Sequence, residues 1–311
     1  MQISILVPVH NAQDTLRDTL DSALALAGPD TEILALDDGS RDDSWQVLQD
    51  YADKVQVSRQ DNSGGCATRN RLLEMSGAPF VHFLDADDIV DPGRNEQQRE
   101  FLVRHPQVGV VTDSLRLFYE DAYEDDELFA PHSSDWWVSL IRHRIPFTSS
   151  ALWRRDAIEA VGKWDESLPS GQEYDLYFRF LKAGIGIEHL DLAKTRYRMP
   201  SRGVPPKRDP ARTMLLEAAF LDRVEAYLIG AGGLTRPRRM ALAGKRLQLA
   251  RKLACCDRQA ARDLADRVPR ARIVALPPQE GLPRTYLACA ALLGFDMAET
   301  VADRMRARHA G

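Results

Sequence analysis

The 311-residue chain has no Gly-x-Gly-x-x-Gly fingerprint and no Walker-type lysine loop. Both absences disfavour the common phosphate cradles, and with them a dinucleotide dehydrogenase and a P-loop NTPase. No Gly-x-Ser-x-Gly elbow occurs either, which argues against an α/β-hydrolase. Cysteine is scarce. Cys66, Cys255, Cys256 and Cys289 show no metal-ligand spacing, and the adjacent pair Cys255-Cys256 is poorly placed for a disulfide. The expectation is reduced, intracellular thiols. The formal net charge of -5 gives no support to nucleic-acid binding by the whole chain. The N-terminus, Met1-Gln2-Ile3-Ser4-Ile5-Leu6-Val7-Pro8-Val9, lacks a basic region before its apolar run and enters a strand pattern at once, so it does not read as a signal peptide. The apolar stretch from Tyr286 to Phe295 falls far short of the roughly 20 residues a membrane span needs. The expected location is the cytoplasm, in solution or peripheral at the cytoplasmic face of a membrane.

What is present is ordinary for a globular protein: 44% hydrophobic and 28% charged residues, in a length suited to one large domain or a domain with an appendage. The first half alternates between two periods. Apolar runs at Ile3–Val9, Glu32–Leu36, Val55–Val57 and Ala78–Leu84 read as strands, separated by helical patterns at Asp14–Leu26, Asp43–Tyr51 and Ala67–Met75. Strands joined by helical crossovers imply a parallel sheet covered by helices on both faces. In such sheets ligands collect outside the carboxyl ends of the strands. Four polar clusters fall at those ends: His10-Asn11, Asp37-Asp38-Gly39-Ser40, Asn62-Ser63-Gly64-Gly65 and Asp85-Ala86-Asp87-Asp88. The last carries the most information. Carboxylates at the mouth of an interior strand are costly to bury unless a cation or ligand compensates them. An Asp-x-Asp step brings two such oxygens within reach of one hard divalent cation, which can neutralise a diphosphate.

Further along, Val108–Thr112 reads as a strand, followed by an acidic stretch with Glu120, Asp121, Glu124, Asp125, Asp126 and Glu127 that reads as a solvated loop. Phe147–Trp153 is strand-like, Arg155–Val161 begins a helix, and Glu173–Ala183 is a helix with Leu176, Phe180 and Leu181 on its apolar face. Pro205-Pro206-Lys207-Arg208-Asp209-Pro210 has the composition of a linker. The organisation expected is therefore a catalytic-type α/β domain over residues 1–204 and a basic, mostly α-helical region over 205–311. From Leu234 to Arg272 there are twelve Lys or Arg against three Asp. Such a basic segment suits either contact with an anionic membrane surface or packing with exposed arginines.

Four segments in order, Ile5-Leu6-Val7-Pro8-Val9-His10-Asn11, Leu36-Asp37-Asp38-Gly39-Ser40-Arg41-Asp42, Asn62-Ser63-Gly64-Gly65-Cys66-Ala67-Thr68-Arg69-Asn70 and Phe83-Leu84-Asp85-Ala86-Asp87-Asp88, resemble the opening motifs of family-2 glycosyltransferases, inverting enzymes of the GT-A fold. The resemblance covers roughly the first 200 residues. It implies a Rossmann-like, mixed and mostly parallel sheet, a nucleotide-diphospho-sugar donor, Mn²⁺ or Mg²⁺, and a carbohydrate, lipid-linked or protein acceptor. By the same resemblance Pro8, His10 and Asn11 lie beside the base and ribose, and Asp38 reads the base edge. Arg69 is a diphosphate or base contact, Asp87 ligates the metal, and Asp85 faces the ribose or a metal-bound water. Asp88 is equally suited to capping a helix.

Relatives usually show Glu-Asp, an aromatic, then Asp-Leu at the catalytic base. Here Gln172-Glu173-Tyr174-Asp175-Leu176 stands in that place, so Glu173 is the base implied, or else a helix cap, with Gln172 replacing the usual acid. A His that relatives often carry after a Tyr-Arg step is missing from Thr195-Arg196-Tyr197-Arg198-Met199-Pro200-Ser201-Arg202, leaving Arg198, Arg202 or Lys207 as diphosphate contacts. Trp136-Trp137 and Trp153 could form a sugar-stacking platform, although core packing is the commoner fate of such side chains. The function implied is metal-dependent, inverting sugar transfer in polysaccharide, glycolipid or glycoprotein synthesis. A glycosyltransferase-like binding or scaffold protein is one alternative. A sugar-phosphate nucleotidyltransferase is another, disfavoured because no glycine-rich, arginine-bearing loop follows the first strand.

Overall fold

The computed structural model describes residues 2–119, 127–131, 133–199, 209–278 and 282–309. The acids between Glu120 and Asp126, the segment Pro205-Pro206-Lys207-Arg208, and Arg202 lie outside the described residues. The chain divides into two compact units, Met1–Trp136 with Arg144–Val204, and Trp137–His143 with Pro205–Gly311.

The first unit is built on a sheet. Its strands are β1 (Ile3–Val9), β2 (Thr31–Asp38), β3 (Gln56–Gln60), β4 (Phe80–Phe83), β5 (Ile89–Val90), β6 (Val108–Phe118), β7 (Glu127–Phe129), β8 (Leu152–Arg154) and β9 (Gly186–Arg198). Helices α1 (Leu16–Leu26), α2 (Ser44–Asp50), α3 (Gly65–Met75) and α4 (Arg94–Arg104) separate the early strands. After α5 (Trp136–Ile141), α6 (Arg155–Ala160) and α7 (Gln172–Ala183) follow. Among the described residues the strand order is β3-β2-β1-β4-β8-β6-β9-β5, with β7 beside β6. The fold class is α/β with a mixed sheet, as the family resemblance implies.

Direction within the sheet positions the site. β1 pairs in parallel with β2 and β4, and β2 with β3. β8 is antiparallel to both β4 and β6, which restores the original direction in β6, and β9 runs parallel to β6. Six strands therefore end at one edge, the arrangement in which a ligand crevice forms. β1 is buried along almost its whole length because both faces are covered. Ile3, Ile5, Val7 and Val9 pack with Leu16, Leu20 and Ala23 of α1 and Val47 and Leu48 of α2, while α3 contacts β1 and β2. Pro8 costs no ladder bond on the β4 side, where pairing ends at Leu6–Phe83.

One departure from the sequence pattern has a local cause. Phe147–Trp153 is not a continuous strand. Thr148–Ser150 winds into a 3-10 turn and only Leu152–Arg154 pairs, because Ser150 N–H and Ala151 N–H close back on Phe147 and Thr148. α7 ends where expected. Gly184 is left-handed, its N–H meets Leu181 O, and Ile185 N–H meets Phe180 O, a Schellman closure.

The second unit is helical: α8 (Pro210–Gly230), α9 (Arg236–Leu253), α10 (Arg258–Asp266), α11 (Arg270–Ala275), α12 (Arg284–Leu293) and α13 (Phe295–His309), with α5 from Trp137 onward. Asp209 caps α8 by accepting from Ala211 N and Arg212 N, with Pro210 at the first helical position. Leu221, Val224, Leu228, Leu242, Leu247 and Leu253 are buried. Much of the basic charge is engaged inside the unit. Arg246 pairs with Asp222 and Glu225, Arg267 with Asp222, Arg262 with Asp296, and Lys245 with Glu217. Although burial works the other way, His143 and Lys245 hold the Glu217 carboxyl down to about 2. Among the described residues no helix is long and apolar enough to cross a membrane.

Candidate functional site

The strand ends interlock before any ligand is considered. At the end of β1, Asn11 takes a positive φ of 51°, which asparagine tolerates better than most residues. Its N–H donates to Ser40 Oγ at 2.9 Å and its Oδ1 accepts from Arg41 N at 2.9 Å. Gly39 (φ 68°) lies so close to the third strand end that an added Cβ would stand 2.7 Å from Asn62 N, so glycine is required there. His10 Nδ1 approaches Asp38 O at 2.9 Å, and Asn62 Nδ2 donates to the same carbonyl at 3.1 Å. These ends wall a cleft of about 1010 Å³ lined by His10, Asn11, Gly39, Arg41, Arg59, Gln60, Asp61 and Asn62.

Asp38 sits beneath that cleft and is only 3% exposed. Its Oδ1 accepts from Ser63 N (2.8 Å) and Gln60 Nε2 (2.9 Å), and its Oδ2 from Gly64 N (2.9 Å). Three donors already occupy the carboxylate, so in this structure it shapes the Ser63-Gly64 loop that opens α3.

One turn into α3, Arg69 reaches the acid turn that follows β4. Its Nη2 meets Asp85 Oδ1 at 2.5 Å, and its guanidinium lies over the Trp164 ring at 5.0 Å. Trp164 is held in turn by Asn70, which accepts from Trp164 N (3.0 Å) and donates to Trp164 O (2.9 Å) and Glu166 (2.7 Å). Within the turn, Asp85 is half-buried, Asp87 exposed and Asp88 buried. Burial, then the charges of Asp87 and Asp85, push the Asp88 carboxyl well above the usual range. The Arg198 N–H donates to its Oδ1 at 3.2 Å, while Oδ2 is sealed with no hydrogen-bond partner. Asp88 does not cap the following helix; α4 starts after Gly93 and has no side-chain cap. Arg198 stands at the same turn, with Nε on Asp87 O (3.0 Å) and Nη2 on Asp18 (3.1 Å).

Glu173 enters from the first turn of α7, where the helix dipole favours a carboxylate. It does not cap its own helix. Its Oε1 accepts instead from Thr148 N at 2.8 Å and from the Thr148 hydroxyl. Burial and the nearby charge of Asp85 raise its pKa, while the Thr148 hydrogen bonds and the charge of Arg69 oppose the rise. The turn Thr148–Ser150 thus joins the acid turn to Glu173. The next residue, Ser149, accepts from Asp85 N through its Oγ (3.1 Å). His82 is fully buried and kept neutral by burial and then by Arg94. Its Nε2 lies 2.9 Å from Ser149 O and 3.1 Å from Arg94 Nη1, and its Nδ1 lies 3.1 Å from Asn95 Nδ2.

The structure thus sorts the sequence-predicted residues into two groups at one sheet edge. His10 and Asn11 line the cleft, with Pro8 and Asp38 beside or beneath it. Arg69, Asp85, Asp87, Arg198 and Glu173 gather around the acid turn. Of the two fates open to the tryptophans, core packing, the commoner one, is what Trp153 shows. Trp153 is 1% exposed and packed between Tyr177 (5.2 Å) and Phe180 (5.3 Å), a core residue. Trp137 stacks on Tyr227 in the helical unit. Sequence reasoning also missed Thr148, Ser149 and Tyr197. A Thr-Ser-Ser run is common, and only the tertiary contacts give it meaning. Tyr197 packs on Phe147 with ring centroids 4.5 Å apart. Burial and then the charges of Asp88, Asp85, Glu173 and Asp87 raise its pKa.

Comparison with known proteins agrees with this architecture. The family model described as glycosyl transferase family 2 matches residues 4–159, just over half of the chain. An uncharacterized glycosyltransferase of Rickettsia typhi is 27% identical over 62% of this chain, and the match spans 63% of that protein, under two thirds of its length. The Escherichia coli UDP-Glc:alpha-D-GlcNAc-diphosphoundecaprenol beta-1,3-glucosyltransferase WfaP is 23% identical over 65% of this chain and 79% of its own length. The crystal structure of Staphylococcus aureus TarS 1-349 superposes with a TM-score of 0.62 at 20% identity, covering 98% of this chain and 91% of that one. It has also been solved in complex with UDP-GlcNAc. That likeness establishes a common GT-A fold, and with the family match it shows that the chain belongs to glycosyl transferase family 2.

Proposed function

We propose that the chain transfers a sugar from a nucleotide-diphosphate donor to an acceptor hydroxyl, with inversion at the anomeric carbon. The observation carrying this reading is the joining of two carboxylate systems through one turn: Ser149 holds Asp85 and Thr148 holds Glu173. The cleft at His10, Asn11 and Asn62 has room for a nucleoside, and the acid turn lies along the same edge.

The residues fit a hard divalent cation. Asp88 carries a sealed carboxylate oxygen without a partner, beside two further acids. Among the described residues no three His, Cys, Asp or Glu side chains form a complete cage, and Mg²⁺ is commonly held by one or two carboxylates together with substrate phosphates. Asp87, with Asp85, would hold Mn²⁺ or Mg²⁺ together with the donor diphosphate. When bound, the ion would neutralise charge on the departing diphosphate. Arg69 and Trp164 fix Asp85. Glu173 takes the proton from the acceptor hydroxyl as its oxygen bonds to the anomeric carbon. The bond from that carbon to the diphosphate oxygen breaks on the opposite face, its electron pair leaving with the nucleotide. A base whose pKa is lifted toward neutrality suits that work.

The UDP-GlcNAc complex of TarS and the activity of Escherichia coli WfaP favour a UDP-sugar donor, and WfaP favours a saccharide acceptor carried on a lipid diphosphate, hence cell-envelope polysaccharide synthesis. The test is a thermal-shift and turnover screen of UDP-, GDP-, dTDP- and CDP-sugars with Mn²⁺. Stabilisation by one donor class, with nucleotide release, is expected. No response to any of them contradicts the reading.

A further inference from the structure

Tyr197 lies between the two halves of the site. It is the next-to-last residue of β9, at the edge where the six co-directional strands end. Alternation along the strand sends Arg196 and Arg198 to one face, both over the Phe118 ring (4.7 and 5.0 Å), and Tyr197 to the other. There its ring lies against Phe147, the residue before Thr148, which holds Glu173. On its other side, the N–H of the next residue, Arg198, is bonded to Asp88. The phenol is half-buried, and among the described residues nothing hydrogen-bonds its hydroxyl. A tyrosine hydroxyl is a protonated donor at neutral pH. The cations nearby are committed elsewhere, Arg69 to Asp85 and Arg198 to Asp18 and the Asp87 carbonyl.

We propose that the Tyr197 hydroxyl is a catalytic residue that donates a hydrogen bond to the donor diphosphate and keeps it as those oxygens gain charge on departure. The assignment rests on the donor reading above. An oxygen-rich anion entering among carboxylates needs donors that carry no competing acceptor, and this hydroxyl is one. Packing against Phe147 fixes the ring, so the donor is in place before the reaction and costs no reorganisation during it.

The test compares the full-length wild-type protein with Y197F, which keeps the ring and its stacking and removes only the hydroxyl. Binding of UDP and of uridine, each with Mn²⁺, is measured by calorimetry, together with turnover of the donor sugar. The expected result is UDP binding weakened about tenfold, uridine binding unchanged, and turnover lowered about a hundredfold. Equal weakening of UDP and uridine would mean a merely structural role and overturn the assignment. Unchanged UDP binding and turnover would overturn it as well. Failure of the wild-type protein to bind UDP, GDP, dTDP or CDP would overturn the donor reading itself, and is distinguishable because it precedes any effect of the variant.

Discussion

The two halves of the sheet reach the same edge by different means. In residues 3–90 each strand end carries its own polar motif, and the motifs bond to one another: Asn11 to Ser40, Asn62 to the Asp38 carbonyl, Asp38 to the Ser63-Gly64 loop. In residues 108–198 the strand ends have little chemistry of their own, and the working groups arrive from a helix start, a 3-10 turn and the end of β9. On the proposed reading the first half holds a ligand in one place, and the second brings a base, Glu173, and a hydrogen-bond donor, Tyr197, up to it. Substitutions in the two halves should therefore fail differently.

The largest effect is expected in the second half. E173Q should lose transfer by roughly 10³- to 10⁴-fold while binding the donor as before, read as turnover against calorimetric affinity. D87A, in the first half, should lose about a thousandfold of Mn²⁺-dependent turnover, because charge on the departing diphosphate goes unneutralised; equal rates with and without Mn²⁺ in the wild-type protein would remove the metal from the account. T148V should be milder, about tenfold in kcat, with a signature in pH. Glu173 acts as a base only when ionised, so the rate rises with pH through its pKa. The Thr148 hydroxyl favours the ionised form, so its loss should move the acid limb of the profile to higher pH. An unmoved limb would separate Thr148 from the base. The smallest effect on catalysis and the clearest on folding should come from D38N. An amide there sets a donor against Gly64 N–H or against Ser63 N–H, costing about 1–3 kcal/mol of stability by urea denaturation.

The same contrast governs what the sequence reveals. Apolar strands closed by polar clusters made the first half readable, because each motif is local and β1, β4 and most of β2 are buried. The acid turn and its place at the fourth strand end could be read for the same reason. Glu173 was reachable only through resemblance, since its environment comes from Thr148, 25 residues earlier. The 3-10 turn was hidden inside a segment that looks like strand, its Thr-Ser-Ser run carrying no local signal that separates the two. Trp153 shows a different ambiguity. An aromatic that suits a sugar face also suits a core, and the packing of Tyr177 and Phe180 around it decides the matter. Tyr197 entered the sequence reading only as half of a Tyr-Arg step, because the carboxylates around it come from two separate segments, the acid turn and the start of α7.

The claim that one edge joins a binding half to a reacting half is tested most directly by measuring donor affinity and turnover side by side for wild-type protein and E173Q, with UDP-GlcNAc and UDP-glucose as probes in Mn²⁺. The account predicts an unchanged Kd and a turnover lost by about three orders of magnitude or more. Wild-type turnover in the variant, or binding and turnover falling together, would contradict it.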